Sequence, residues 1–337
     1  MKKSLDVIYF EFTTPLHISN ARADYGVSER TIHSDTLYAA IMQSWAFLGK
    51  EEWITKEVSF TLSSLFPYTI DKTTKQKVHF FTKPFFQAPR NSSTEMATED
   101  AKKFKKIKYV DTFHFEKYIN KQAIDTGVDA IKGNYQVAKN ININPNFISS
   151  EVQPRIIRPR NESEDTKPFY AEKLFFEKGS GMYCLCNFEN EQTRNRVKAA
   201  LALLADNGLG TDRGIGNGCF NLSFGKITLD IPNSSQFAMN LSLFCPESKE
   251  ALVSLLNDEK VRYEITKRGG WISEPHNTYR KRSIYMFQEG SVFSRTSTTI
   301  FSMGKTVNLK PSNELLPTKI DNPIWRVGKS LFIPVLI

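Results

Sequence analysis

The chain has 337 residues, 40% of them apolar, enough for about two domains of ordinary size, each with its own core. Lysine and arginine outnumber aspartate and glutamate 45 to 36, which favours a polyanionic partner. No apolar run approaches the ~18 residues of a membrane span, and cysteines at 184, 186, 219 and 245 make neither C-x-x-C pairs nor a Cys/His tetrad, so the composition argues against membrane, zinc and disulfide-framework classes.

The first strand is expected in KKSLDVIYFEF, where Leu5, Val7 and Tyr9 alternate with their neighbours before Pro15. SDTLYAAIMQSWAFLG then reads as a helix, with Ser34 as N-cap, Asp35 in the first turn, Gly49 past the end, and Leu37, Ala40, Ile41, Ser44 and Leu48 on the buried side. Residues 60–125 turn to Phe/Pro punctuation and a lysine run, AKKFKKIKYVDTFHFEKYINKQ, more charged than a core. Short β-prone stretches around Gly-Asn and Asn-Pro from 127 to 160 suggest an extended hairpin, within an insertion spanning about 60–160. PFYAEKLFFEKGSGMYCLCNF gives two strands, and EQTRNRVKAALALLAD a helix with Val197, Leu201 and Leu204 at helical spacing.

ADNGLGTDRGIGNGCF follows, with five glycines, 208, 210, 214, 216 and 218, in eleven positions around Asp212 and Arg213. Glycine reaches positive φ freely and lets backbone N–H groups approach a ligand, often an anion. The P-loop spacing fails, because five residues after Gly208 stands Arg213, and G-x-G-x-x-G meets the same arginine where its third glycine belongs. Both motifs leave a strand and open a helix, whereas here a helix leads into the loop and the strand CFNLSFGKITL leaves it. A C-cap at Gly208 and a hairpin bend would need one or two glycines, so the loop points to ligand contact.

After DIPNSSQ the β, α, β order begins again with FAMNLSLFC, PESKEALVSLLNDE and VRYEITKRGGWI, so residues 232–337 read as a degenerate second copy of 1–231. With the insertion removed, the first half has the order of a ferredoxin-like fold. The fold class is therefore α+β, with two ferredoxin-like domains, a glycine-rich loop and a thumb-like hairpin.

Four stretches in order, PLHISNARADYGVSERTIHSDTLYAAI, GLGTDRGIGNGCF, KRSIYMFQEGSVF and NPIWRVGKSLFIPV, resemble the RAMP superfamily of CRISPR ribonucleoproteins. Within it the chain looks like the subunit of type III-A (Csm) complexes that holds the 5′ handle of the CRISPR RNA. The resemblance implies a non-enzymatic subunit; the small, apolar setting of the cysteines and the lack of a leader point to the reducing cytoplasm, the lack of an apolar run to no membrane contact, and the lack of a clustered Asp/Glu/His set to no metal or cofactor. Its implied partners are the crRNA handle, target RNA in the assembled complex, the large polymerase-like Csm subunit and the backbone RAMP subunits, with a thumb near 127–160 wedged into the guide and target duplex.

Several residues become candidate RNA contacts. Arg213 either meets phosphate or pairs with Asp212. Gly208, Gly210, Gly214 and Gly216 would present backbone amides, and His17, Asn20 and Arg22 follow the first strand at a loop edge. Ser34 is either a cap or a contact; Arg155, Arg158 and Arg160 stand among prolines; Lys281 and Arg282 lie in YRKRS; and Ser291 adjoins a turn in which Glu289 has a plain structural reading. The competing class is a metal-independent RAMP endoribonuclease using His17 and His33 as general acid or base.

Overall fold

The computed structural model describes residues 1–19, 25–87, 89, 98–124, 130–157, 165–273, 276–312, 314 and 320–337. In chain order the first half holds β1 (Lys2–Phe12), α1 (Ser34–Phe47), β2 (Phe60–Leu62), β3 (Phe66–Ile70), β4 (Lys77–Thr82), α2 (Thr98–Lys106), β5 (Tyr109–Asp111), α3 (Thr112–Ile119), β6 (Ile131–Lys132), β7 (Tyr135–Gln136), β8 (Ile148–Ile157), β9 (Lys167–Phe176), β10 (Gly181–Phe188), α4 (Glu191–Asn207) and β11 (Phe220–Asp230). The second half holds β12 (Ser235–Asn240), α5 (Lys249–Leu256), β13 (Ile265–Arg268), β14 (Ile284–Phe287), β15 (Val292–Ser297), β16 (Phe301–Met303), β17 (Thr306–Asn308), β18 (Trp325–Val327) and β19 (Ser330–Val335).

The large sheet is built on β1, which pairs antiparallel with β11 on one side and β10 on the other. Both β2 and β3 then pair with β10, and the sheet continues through β4, β5, β7 and β6. The side chain of Arg194 on α4 reaches Asp6 of β1, and Trp45 on α1 donates its indole N–H to the Arg196 carbonyl at 2.8 Å, so α1 and α4 form one layer beside the sheet.

Strands β2 and β3, inside the stretch expected to be an insertion from about 60, pair with β10 in the central sheet. The charge of residues 60–125 disguised this, because Phe60, Phe66, Phe80, Phe81 and Phe115 are all buried while Lys72, Lys75, Lys77, Lys102, Lys105 and Lys106 between them are exposed. The hairpin is also displaced from the expected 127–160. It is β8 paired with β9 over ten residues a side, whereas Tyr135, Val137 and Phe147 pack into the sheet beside Phe80.

The second half forms the antiparallel sheet β15-β12-β19-β16. After residue 231, α5 is the one α-helix among the described residues; the rest is strand punctuated by glycine and proline. The halves do not bury fully separate cores. Phe237, Met239, Val292 and Val335 belong to the same cluster as Val7, Phe81 and Leu185, and buried serines stitch the seam: Leu243 N–H donates to Ser34 Oγ at 3.0 Å and Ser242 Oγ–H to the Leu62 carbonyl at 2.6 Å.

Candidate nucleic-acid interface

Helix α4 ends at Gly208, whose φ of 80° only glycine takes readily, and its N–H donates to the Leu204 carbonyl at 2.8 Å. Leu209 then pairs with Gly218, the Thr211 N–H donates to the His17 carbonyl at 3.0 Å and the Gly218 N–H to the Pro15 carbonyl at 2.8 Å. The loop is thus tied to the segment leaving β1. A Cβ at Gly208, Gly210 or Gly218 would run into a backbone carbonyl, of Asn217, His17 and Leu209 respectively, so these three glycines serve packing. Gly214 is different. It has open space around it and no positive φ, and Gly216, at φ 83°, is equally unobstructed.

Within 210–216, the N–H groups of Thr211, Ile215 and Gly216 are taken by the carbonyls of His17, Asp212 and Arg213. Among the described residues, those of Gly210, Asp212, Arg213 and Gly214 have no acceptor. The loop therefore offers part of the amide array that the sequence suggested, not all of it. Asp212 pairs neither with Arg213 nor with solvent alone: its carboxylate meets Arg155 of β8 at 2.6 Å, linking the hairpin to the loop. Arg155 is accordingly a tether and not a displayed cation. Arg213 leans towards Gln43 of α1, 3.4 Å away, with its guanidinium on the rim of a cleft.

This cleft, about 840 Å³, is where the two halves of the chain meet. The glycine loop and α1 supply one wall, with Gly210, Thr211, Arg213, Thr36 and Gln43; the other is Arg268, Gly269, Gly270, Trp271, Arg280, Lys281 and Arg326. Two aromatic faces open onto it, Tyr25 at 45% and Trp271 at 48% exposure, the latter with the Arg280 guanidinium 4.8 Å from a ring centroid. Flat rings and cations in one groove suit a single-stranded polyanion, whose bases stack while its phosphates meet charge.

The floor is held by a buried ion network. Arg268 grips Asp35 with two hydrogen bonds, 2.8 and 2.9 Å, and Arg326 reaches the same carboxylate at 2.6 Å while donating to the Gly269 carbonyl. Burial alone would raise the Asp35 pKa, but Arg326 and Arg268 hold it far below the usual carboxylate range. Two guanidinium groups share one carboxylate, so positive charge is left over at the floor. Lys281 shows this: burial first, and Arg326 second, push its ammonium down to about 8.

Beside the floor His33 pairs with Glu289 at 2.9 Å, and Glu289 also accepts from Ser64. Burial opposes charge on both, yet each favours the charged form of the other: the His33 pKa is raised and the Glu289 pKa lowered. Glu289 is thus a buried partner and not a mere turn residue. His17 points elsewhere, its Nδ1 2.6 Å from the Glu172 carbonyl and its ring stacked on Tyr25, so the two histidines suggested as an acid/base pair each have a separate internal partner.

Of the expected contacts, the cleft gathers Gly210, Arg213 and Lys281. Gly214 and Gly216 sit exposed on the same loop. Ser34 and Ser291 are fully buried and cannot reach a ligand: Ser34 Oγ accepts from Leu243, and Ser291 Oγ donates to the Gln288 carbonyl at 2.7 Å. Nor is Ser34 the cap of α1, whose N-cap is His33 with no side-chain cap bond. The His17 ring is 1% exposed, and only its backbone carbonyl serves the loop; Gly208 is a helix terminus. Arg282 is exposed but donates to the Asn308 carbonyl at 2.8 Å. Asn20, Arg22, Arg158 and Arg160 lie outside the described residues. Sequence reasoning missed Arg268, Arg326, Tyr25 and Trp271; the signal for the first was present in KRGGW, where two glycines follow a strand arginine.

Residues 233–335 match the CRISPR Csm4 C-terminal domain family. The CRISPR system Cms protein Csm4 of Thermococcus onnurineus is 24% identical over 255 residues, covering 71% of this chain and 74% of that protein. A chain of the Csm3–Csm4 subcomplex of a type III-A CRISPR-Cas interference complex is matched over 99% of this chain and 100% of the other, at 17% identity and TM-score 0.63. A chain of the Csm1–Csm4 cassette in complex with cA4 matches at 99% of both chains, 17% identity and TM-score 0.60. The resemblance to Csm-complex subunits carried by the sequence motifs is therefore matched by domain, relative and fold.

Proposed function

We propose that the chain is a Csm4-type subunit of a type III-A CRISPR complex and that the cleft between its halves grips the 5′ handle of the crRNA without cutting it. One observation carries this reading: the glycine loop, Arg213 and Gln43 face Arg268, Trp271, Arg280, Lys281 and Arg326 across one groove. Backbone amides, cations and flat rings are what a splayed single strand needs. The strand order β11-β1-β10-β3 with α1 and α4 supports reading the first half as ferredoxin-like, and the second half as a reduced version with α5 alone.

By similarity to the Csm1–Csm4 and Csm3–Csm4 assemblies, the protein joins a large subunit to a backbone RAMP subunit. The β8–β9 hairpin, tethered through Arg155 to the loop, is the thumb that meets the guide and target duplex. Non-cutting is supported by the internal partners of His17 and His33, which leave no pair aligned for proton transfer. The test is direct: purified protein incubated with repeat RNA, with and without divalent metal, binds RNA carrying a repeat-derived 5′ end and leaves it intact. Cleavage abolished by His33→Ala, or no preference for that end, overturns the reading.

A further inference from the structure

The lysine run of the sequence has no part in the cleft. In the structure it becomes α2 and the step into β5, anchored by buried Phe104 and Ile107. Lys83 fixes the end of α2, its Nζ 4.3 Å from the Phe104 ring centroid and 3.1 Å from the Phe104 carbonyl. With the anchors inward, Lys102, Lys105, Lys106 and Lys108 are all exposed, and among the described residues none of the four meets a carboxylate. Lys102 stands three and four residues from Lys105 and Lys106, spacings at which like charges repel on a helix. Such a face is unfavourable by itself and complementary to a polyanion.

It is also joined to the cleft. Tyr109, directly after Lys108, shares a 2.5 Å hydrogen bond with Thr31, two residues before His33 in the cleft wall. Arg30, next to Thr31, is exposed, donates to Ser150 Oγ of β8 at 3.2 Å, and is close enough to Tyr109 and Tyr135 for its charge to act on both. The Tyr109–Thr31 hydrogen bond thus joins the step after Lys108 to the segment that carries exposed Arg30 and leads to His33 in the cleft wall.

We propose that the lysine face of α2 is a second RNA-backbone site, which takes the phosphates of the strand leaving the cleft by way of Arg30. It rests on the reading that the cleft holds RNA. Lysines act there as point charges, so the contact follows phosphate spacing and not base identity.

The full chain is tested with uridine oligomers of about 6 nucleotides, within one single-strand site, and about 30. A variant carrying Lys102→Gln, Lys105→Gln, Lys106→Gln and Lys108→Gln keeps wild-type affinity for the short oligomer and loses affinity for the long one. With about 0.7 counterions released per contact, the wild type should lose up to roughly fiftyfold more affinity for the long oligomer than the variant does between 50 and 200 mM salt. Arg213→Ala weakens both lengths. If the lysine variant loses only the long oligomer while Arg213→Ala changes neither, the lysine site stands and the cleft reading falls. Identical salt curves of variant and wild type on the long oligomer, or equal losses on both lengths, overturn the proposal.

Discussion

The floor and the rim of the cleft use the same residue type in opposite ways. At the floor Arg268 and Arg326 are committed to buried Asp35 and hold α1 against the C-terminal half; at the rim Arg213 has only a 3.4 Å contact with Gln43, and its loop is exposed from Gly214 to Gly216. The difference teaches that basic residues lining a groove are not interchangeable as RNA contacts. The floor sets the shape and leaves excess field, while the rim is free to follow a ligand.

The strongest way to break this comparison is to remove the carboxylate. Asp35→Ala removes the carboxylate that two guanidinium groups beneath the cleft share and leaves only the more distant Glu289 and Glu29 to act on Arg268, and deleting one partner of a buried pair typically costs about 3–5 kcal/mol. The thermal transition should fall by many degrees, with both halves affected because the network spans them. Unchanged melting would mean that the floor is solvated and that floor and rim are alike.

The glycine loop contains its own version of the contrast. Gly218→Ala forces a Cβ against the Leu209 carbonyl at φ 78°, and strain plus overpacking of this kind costs on the order of 2–4 kcal/mol of stability. Gly214→Val places its side chain in open space at an ordinary φ, so melting should barely move while handle affinity drops through steric exclusion. If Gly214→Val binds the handle normally, the exposed loop tip does not touch RNA.

How much of this was legible in the sequence follows from what each signal depends on. Helix α4, Glu191–Asn207, runs one residue beyond the expected 191–206, because Val197, Leu201 and Leu204 repeat at helical spacing and Gly208 stops the helix locally. Helix α3 was not seen: TFHFEKYI lies within the lysine-rich stretch, and its cap, Asp111 accepting from the His114 N–H at 2.9 Å, looked like one more charge. At the site, the glycine loop announced itself by composition, but which glycines are packed and which are open depends on how the loop folds on itself at Leu209 and Asn217 and on the segment after β1 at His17. The Asp35 network was hidden for the same reason, since its partners stand 233 and 291 residues away.

At the rim, Arg213→Ala should leave stability nearly untouched and lower handle affinity by about 1–3 kcal/mol, the range for a hydrogen bond to a charged group. The salt slope should flatten by about 0.7 for single-stranded RNA. Filter binding at several salt concentrations, with a melting curve beside it, reads all three. A melted domain with intact affinity per folded molecule would move Arg213 to the floor class.

Lys281 stands between the classes, and pH separates them. Its ammonium, brought down from 10.5 to about 8 by burial and by Arg326, is mostly charged at pH 7 and mostly neutral by pH 9. In the free protein the native state releases this proton before the unfolded chain does, so its unfavourable contribution fades and stability rises from pH 8 towards 10.5. An RNA phosphate acts in the opposite sense. It favours the charged form and raises the pKa in the complex, so binding takes up a proton above pH 8 and affinity must fall as pH rises. Between pH 7 and 8.5, with one proton required and a free pKa of about 8, the loss approaches about fourfold. Lys281→Gln should be weaker at pH 7 and flat across that window, whereas Arg213→Ala keeps the wild-type slope. A pH-independent wild type would show that Lys281 belongs with the floor, shaping the groove without meeting phosphate.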